Sequence, residues 1–277
     1  MNEINLEVLI PVQGRKTLIK TILSLIDIDL IDLITIITTD ELDFSETRLA
    51  ENGKLRIIKL PKQVKFVKSF YLNQGIKSSL GQLILISDAD IIWNERAVEE
   101  LYHSSFSHCK TIAHIADVQE SESQNYALKR SRFTPVVVKV KHQHFQVKIV
   151  STSVSLKRPG CGLICTQRDT LLSLGGFNES LQGWGWEDQD LLIRGQILDC
   201  QIVKVGEVIH LSHDDSLRNQ SGMSPIDTRN KNILLSCQRL IKGIVRGDLA
   251  DVDKMSNDSL LTIAVEIPSF INNCNKI

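Results

Sequence analysis

The chain predicts an α/β fold, with a Rossmann-like, mostly parallel central sheet covered by helices on both faces. Three observations carry this. Short β-branched apolar runs alternate with helical segments of about 10–15 residues, the signal of βαβ units. The runs are apolar along their length, as strands buried on both faces are. Polar residues gather where the runs end, and in such sheets ligands sit outside the carboxyl ends of the strands.

Leu6 to Val12 is the first strand, with Pro11 near its end and Gln13-Gly14-Arg15-Lys16 after it. Thr17 to Ile26 has helical spacing, with Leu18, Ile22 and Leu25 on one side. Leu33 to Thr38 is the second strand and ends at Thr39-Asp40-Glu41; Leu55 to Leu60 is the third. Phe66 to Ser79 reads as a helix closed by Gly81 just past its end. Leu83 to Ile86 is the fourth strand and runs straight into Ser87-Asp88-Ala89-Asp90, and Glu95 to Ser105 is the next helix.

Residues 129–158 change character, with eight Lys or Arg, His142 and His144, and no acid. Val136 to Lys141 and Phe145 to Val150 read as a β-hairpin within them. It is either a solvated edge protected by lysines or a flap facing an acceptor or a phosphate. Gly160-Cys161-Gly162 marks a tight backbone approach. Thr166 to Leu174 reads as a short helix, Asp188 to Ile197 as a longer one, and Val203 to Ile209 as the last strand. Leu217 to Thr228 has loop composition, and Ile233 to Val245 is helical.

Composition narrows the function classes. The chain has 277 residues, 42% hydrophobic and 23% charged, which suits a soluble globular protein of one large or two small domains. A formal net charge of −1 argues against a nucleic-acid or general polyanion binder, while a local basic patch stays possible. The six cysteines are scattered without a CxxC pair, as free thiols in a reducing compartment are, and Cys161 and Cys165 read as packing residues. No basic leader opens the chain, and no apolar run approaches the ~18 residues of a membrane span. A cytoplasmic protein is expected, with peripheral membrane contact left open.

Two motifs carry chemistry. Gly183-Trp184-Gly185-Trp186-Glu187-Asp188-Gln189-Asp190 places two Trp, two Gly and three acids within eight residues. A sugar ring needs an aromatic plane for its C–H face and carboxylates for its hydroxyls. Glu187 and Asp188 fall in the first turn of a helix, where the dipole favours anions. Upstream, Asp88 and Asp90 stand two apart at a strand end, where they can hold a divalent cation and, through it, a phosphate. The last strand ends in His210-Leu211-Ser212-His213, and a turn there lets both imidazoles reach one ion. Together these features point to a nucleotide-sugar-dependent glycosyltransferase.

In order and kind, the motifs resemble the metal-dependent GT-A glycosyltransferases, most closely the β-1,4-galactosyltransferase type and its bacterial family 2 relatives. The resemblance rests on the DxD of Asp88 and Asp90, the WGxED core of Trp184, Glu187 and Asp188, and the HxxH of His210 and His213. It covers roughly residues 5–235. It implies a single domain over 1–277: a nucleotide-binding half (1–108), an acceptor and metal half (109–235) and a C-terminal helical tail (236–277).

Pro11, Gln13 and Arg15 resemble the family's nucleotide loop, with Gln13 where galactosyltransferases usually have Arg. Asp40 joins the nucleotide site from the second strand end. Phe66 is expected to stack on the base, Lys68 to replace an Arg near the phosphates, and Asn73 to serve structurally. Asp88 is expected toward ribose or donor sugar, and Gly162 to let the backbone approach the donor. Trp184 is expected to pack near the sugars and Glu187 to hold hydroxyls, with Asp188 as general base. Trp186 replaces the usual second Gly, which departs from the galactosyltransferase pattern. Asp90 and His213 match metal ligands, and His210 takes the place of a ligating Met.

Such a mixed N/O shell suits Mn²⁺ better than Ca²⁺, with Mg²⁺ as the weaker alternative. The implied reaction is inverting transfer of a hexose or N-acetylhexosamine from a nucleotide sugar, by resemblance UDP-linked. The acceptor is a glycan, lipid-linked sugar, small molecule or peptide. The alternative from another class is a carbohydrate or nucleotide-sugar binding module that keeps the fold without turnover.

Overall fold

Seven consecutive buried residues, Leu6–Val12, form β1. The computed structural model describes residues 5–44, 49, 52–62, 64–122, 132–152, 158–213, 224–249 and 261–272. Its main sheet has eight strands, in the order β3 (Leu55–Lys59), β2 (Leu33–Thr38), β1, β4 (Leu83–Ile86), β9 (Arg158–Gln167), β6 (Thr111–Glu120), β10 (Gln201–His210) and β5 (Ile91–Ile92). The strands β1 to β4 pair in parallel, as do β6 and β10. Only β9 and β5 run against their neighbours. The sheet is mostly parallel, as expected.

Alternation along β1 divides the core. Leu6, Val8 and Ile10 face α1 (Leu18–Leu25) and α3 (Glu95–Phe106). Leu9 belongs to the opposite cluster, with α2 (Lys68–Ser78), α4 (Arg168–Ser173) and α5 (Glu187–Ile197). A third cluster lies under a smaller sheet, β11 (Thr262–Glu266), β8 (His144–Thr152) and β7 (Arg132–Lys141), which packs with α5 and α6 (Pro225–Ile241).

The structure corrects several sequence expectations. The helix expected from Phe66 begins at Lys68, and Gly81 does not cap it, because Ser79 leaves the helix in an extended conformation. Gly81 instead makes room for Glu7, whose Cβ would lie 2.7 Å from an added Cβ. The buried Glu7 carboxylate accepts from the Leu80 and Gly81 N–H groups (2.6 and 2.9 Å) and from Thr35 Oγ1 (2.5 Å), which satisfies an otherwise expensive buried charge. Gly160-Cys161-Gly162 lies inside β9 and makes the close backbone approach expected of it, since an added Cβ on Gly160 would lie 2.9 Å from Ile115 Cβ. The helix expected from Thr166 starts only at Arg168. The strand β6 had no sequence counterpart.

The helix expected at Ile233–Val245 runs instead over Pro225–Ile241. Ser224 accepts from the Asp227 N–H and Pro225 sits at the first position, where its missing N–H costs nothing, so part of the expected loop is helical. The rest of that loop lies outside the described residues, apart from its last positions. The tail is not simply helical either. Thr262–Glu266 forms β11, parallel to β8, before the short α7 (Ser269–Asn272). Among the described residues no helix is long and apolar enough to cross a membrane.

Candidate active site

The carboxyl ends of β1 and β4 and the loop after β10 open onto one cleft of about 1030 Å³. The hairpin β7–β8 and the Gly183–Gln189 segment close its other side. Pro11, Gln13, Arg15, Phe66, Lys68 and Asp88 line it, as do Asp90, Gly162, Trp184, Glu187, Asp188, His210 and His213. Of the residues singled out from sequence, only Asp40 stands back. Its carboxylate accepts from the Gly14 N–H (2.6 Å) and so braces the turn after β1. Gln13 Nε2 donates to Thr39 Oγ1 (2.8 Å), which ties the ends of β1 and β2 together. Phe66 meets Tyr71 edge-on at 4.8 Å between ring centroids.

Asp90, His210 and His213 offer ligand atoms within 4.8 Å of one another. Asp90 Oδ1 lies 3.6 Å from His210 Nε2, and Asp90 Oδ2 lies 3.2 Å from His213 Nε2. Burial opposes the Asp90 charge, yet the two imidazoles and Arg15 hold its carboxyl well below the usual carboxylate range. The His210 pKa is raised, because Asp90 and Glu120 outweigh the burial that opposes its charge. One buried carboxylate and two imidazoles make a donor set that fits a Mn²⁺-type ion.

Sequence reasoning missed Glu120. It lies at the end of β6, opposite His210 in the parallel pairing with β10. Its Oε2 accepts from His210 Nδ1 (2.6 Å) and Ser212 Oγ (3.1 Å), and its Oε1 accepts from Arg158 Nε (3.2 Å). Burial opposes ionisation here too, but His210 and Arg158 bring the carboxyl down to about 2. A carboxylate behind a ligating imidazole fixes its tautomer and raises its basicity.

The second cluster joins the two motifs. Lys68 Nζ lies 2.5 Å from Asp88 Oδ1 and 3.5 Å from Glu187 Oε1. Burial disfavours the Lys68 charge, but Asp88, Glu187 and Asp188 together hold its pKa above the ordinary range. Burial pushes Glu187 up to about 7, with Lys68 pulling against it. Burial raises Asp188 as well, and Lys68 again opposes. Gly162 lies beneath this group. An added Cβ would meet Lys68 Nζ at 3.3 Å and Asp188 Oδ2 at 3.6 Å. Arg15 Nη1 is buried without a hydrogen-bond partner among the described residues, an orphan donor on the wall that carries Asp88 and Asp90.

The Trp pair divides. Trp184 is half-buried on the cleft, while Trp186 is 4% exposed and belongs to the core beneath the smaller sheet. Trp186 holds φ = 83° as the residue before α5, a left-handed backbone that Gly adopts freely and Trp does not. The third acid of the segment, Asp190, is structural. It is buried against Arg194 (2.7 Å), whose guanidinium also donates to the Leu174 and Gly176 carbonyls (2.9 Å each). Asn73 is likewise structural, exchanging hydrogen bonds with the Phe177 backbone (2.8 and 3.0 Å).

The fold is of the GT-A type. Residues 140–214 match the family described as the N-terminal domain of galactosyltransferase. Among solved structures, GalNAc-T7 with UDP, GalNAc and Mn²⁺ is similar with a TM-score of 0.61 at 14% identity, over 94% of this chain and 55% of that one. TarS 1–349 of S. aureus with UDP-GlcNAc gives 0.56 at 13% identity, over 93% and 70%. The mannosyltransferase PcManGT of Pyrobaculum calidifontis with GDP-Man and Mn²⁺ gives 0.54 at 11%, over 87% and 65%. The chain spans only about half of the GalNAc-T7 chain, and at these identities the likeness is one of fold. No curated protein sequence matches this chain.

Proposed function

We propose that the protein is an inverting glycosyltransferase that moves a hexose or N-acetylhexosamine from a nucleotide sugar, UDP-linked by resemblance, to an acceptor hydroxyl. The observation that carries the reading is that one cleft brings Asp90, His210 and His213 together with the half-buried Glu187–Asp188 pair. The GT-A fold and the UDP, GDP-Man and Mn²⁺ in the similar structures support it.

Asp90, His210 and His213 would hold Mn²⁺, with Mg²⁺ as the weaker alternative. The ion supplies neutralisation of the diphosphate leaving group, where charge develops in the transition state. The chain's residues do the rest. The orphan Arg15 donor faces the cleft and gives a phosphate oxygen a partner. Phe66 offers a face to the base, and Asp88 accepts from ribose or sugar hydroxyls once Lys68 shifts toward phosphate. Trp184 walls the sugar, and Glu187 orients its hydroxyls. Asp188 takes the acceptor proton as the acceptor oxygen bonds to the anomeric carbon. The bond from that carbon to the diphosphate oxygen breaks, and the nucleoside diphosphate carries away the electron pair. With a single base and no second nucleophile, the anomeric configuration inverts. A depressed basicity would make Asp188 a poor base, whereas burial raises it toward the working range.

The test is donor binding and slow hydrolysis across UDP- and GDP-sugars, with and without Mn²⁺, using Asp90→Ala as control. Metal-dependent turnover of one donor, lost in the variant, is the expected result. Donor binding without any turnover would favour the binding-module alternative, and no donor binding at millimolar levels would sink the reading.

A further inference from the structure

Strand β6 carries a histidine between apolar neighbours. Alternation puts His114 on the same face as Ile112, which packs with α5, while Ala113 and Ile115 belong to the opposite cluster. His114 is 1% exposed, and it lines the cleft. The ladder to β9 breaks beside it. Ile164 stands opposite His114 but Gly160 stands opposite Ile115, so Cys161, Gly162 and Leu163 bulge out of register. Bulges of this kind re-aim side chains next to active sites. This one also reaches the proposed base, since a Cβ on Gly162 would lie 3.6 Å from Asp188 Oδ2. The Asp188 charge acts on both the His114 ring and the Cys161 thiol.

One edge of the His114 ring is committed and the other is open. Nδ1 stands 2.9 Å from the Ile115 carbonyl oxygen, and a carbonyl only accepts, so Nδ1 carries a proton. Burial lowers the His114 pKa, and Lys204, opposite it in β10, adds to this against the Ile115 carbonyl and Asp188. The ring is therefore neutral, and Nε2 keeps its lone pair. Among the described residues the ring makes no other hydrogen bond, and it is not part of the Asp90–His210–His213 cluster. Because Nδ1 is turned to the backbone, Nε2 across the ring points away from the strand, into the cleft. A buried acceptor without a partner costs free energy that an apolar side chain at this position would not.

We propose that His114 Nε2 accepts a hydrogen bond from a sugar hydroxyl bound in the cleft, so that His114 helps to set which sugar is taken. This rests on the transferase reading. Among the groups which that reading brings into the cleft, the diphosphate oxygens only accept, and the nucleobase is assigned to Phe66, ahead of α2. Sugar hydroxyls are the donors that remain. The hydroxyl belongs to the donor sugar or to the acceptor, and the experiment separates these two sources.

Calorimetry with Mn²⁺ compares UDP-glucose with UDP-galactose, UDP-N-acetylglucosamine and UDP-xylose, each of which differs from it at one carbon of the sugar. The proteins are the wild type, His114→Phe, His114→Leu and His114→Gln. A second panel titrates methyl β-glucoside, methyl β-galactoside and methyl β-xyloside into the same proteins saturated with UDP and Mn²⁺. UDP–Mn²⁺ binding reports that each variant has folded. In one panel the wild type should prefer one sugar by about ten-fold or more, as one buried hydrogen bond gives. The two apolar variants should flatten that preference at unchanged UDP affinity. His114→Gln, whose amide oxygen accepts in place of Nε2, should restore most of it. The panel that responds names the donor or the acceptor as the source. No preference in either panel, or preferences that survive the apolar variants, overturn the inference. Loss of UDP binding in both apolar variants also overturns it and assigns His114 to the fold. Absence of any Mn²⁺-dependent UDP or donor binding in the wild type instead removes the transferase reading, and this inference with it.

Discussion

Glu120 Oε2 stands 2.6 Å from His210 Nδ1, and this contact leaves the opposite ring nitrogen, Nε2, facing Asp90. A carboxylate held down at about 2 only accepts, so Nδ1 carries a proton, and Nε2 is the nitrogen that would exchange its proton for a metal. Glu120→Ala is expected to weaken Mn²⁺ binding about 10–100-fold. Titration of the metal by electron paramagnetic resonance checks this, and an unchanged affinity would show that His210 holds its orientation without Glu120.

Asp188→Asn keeps the size of the side chain and removes the proposed base. We expect kcat to fall about 10²–10⁴-fold, with donor and Mn²⁺ affinity within a few-fold of wild type. Steady-state kinetics beside donor titration separates the two. A loss of donor affinity as large as the loss of kcat would reassign Asp188 to donor binding.

The pH profile should show the same residue. A general base acts deprotonated, and burial raises the Asp188 pKa. The rate kcat/KM should therefore fall, as pH drops, at a higher pH than an exposed aspartate would give. Lys68 pulls that pKa down, so Lys68→Met should move the acidic limb further up while raising the donor KM. Superimposable limbs in the two proteins would uncouple Lys68 from the base.

Glu187 contributes the opposite way to stability. Its folded-state carboxyl is pushed up to about 7, so above the ordinary glutamate range the folded protein holds a proton that the unfolded chain has released. Stability should fall as pH rises through that window, and Glu187→Gln should flatten the slope. Urea midpoints at about pH 5 and pH 8 give the answer, with parallel curves counting against the shift.

At Trp186, two effects compete in Trp186→Gly. Relief of the left-handed backbone returns about 1–2 kcal/mol, while losing a buried Trp costs about 3–5 kcal/mol. Packing wins, and a net loss of about 2 kcal/mol is expected by chemical denaturation. A stabilised variant would mean that the third cluster closes over the gap.

The parts of the fold that were legible in sequence are those where one face or a whole run is apolar. The strands β1, β2 and β4 and helices α1 and α3 announce themselves that way. By contrast, β9 carries Gly160 and Gly162, which signal a tight backbone approach and give no strand pattern; Gly160 is there because Ile115 Cβ would sit 2.9 Å from an added Cβ. The strand β6 carries a buried His114 and acids at its end, so its pattern gives no strand signal. The residues of the Asp90–His210–His213 cluster were legible because DxD and HxxH are local spacings. Glu120 was not, since its partnership with His210 spans ninety residues and exists only through the β6–β10 register. The cap at Ser224-Pro225-Ile226-Asp227 was readable but was hidden by the polar composition around it.

The parallel pairing of β11 with β8 has a consequence for biosynthesis. The hairpin partner β8 ends at Thr152, and the strand that covers its second edge begins at Thr262. At typical synthesis rates that delay is on the order of ten seconds. During it, the nascent chain displays an open β8 edge beside Val136 and Val138, which remain exposed even in the finished protein. Another chain on the same message can pair with that edge before β11 arrives. Expression yield, more than equilibrium stability, should therefore respond to changes in residues 262–266, and co-expressed chaperones should offset them.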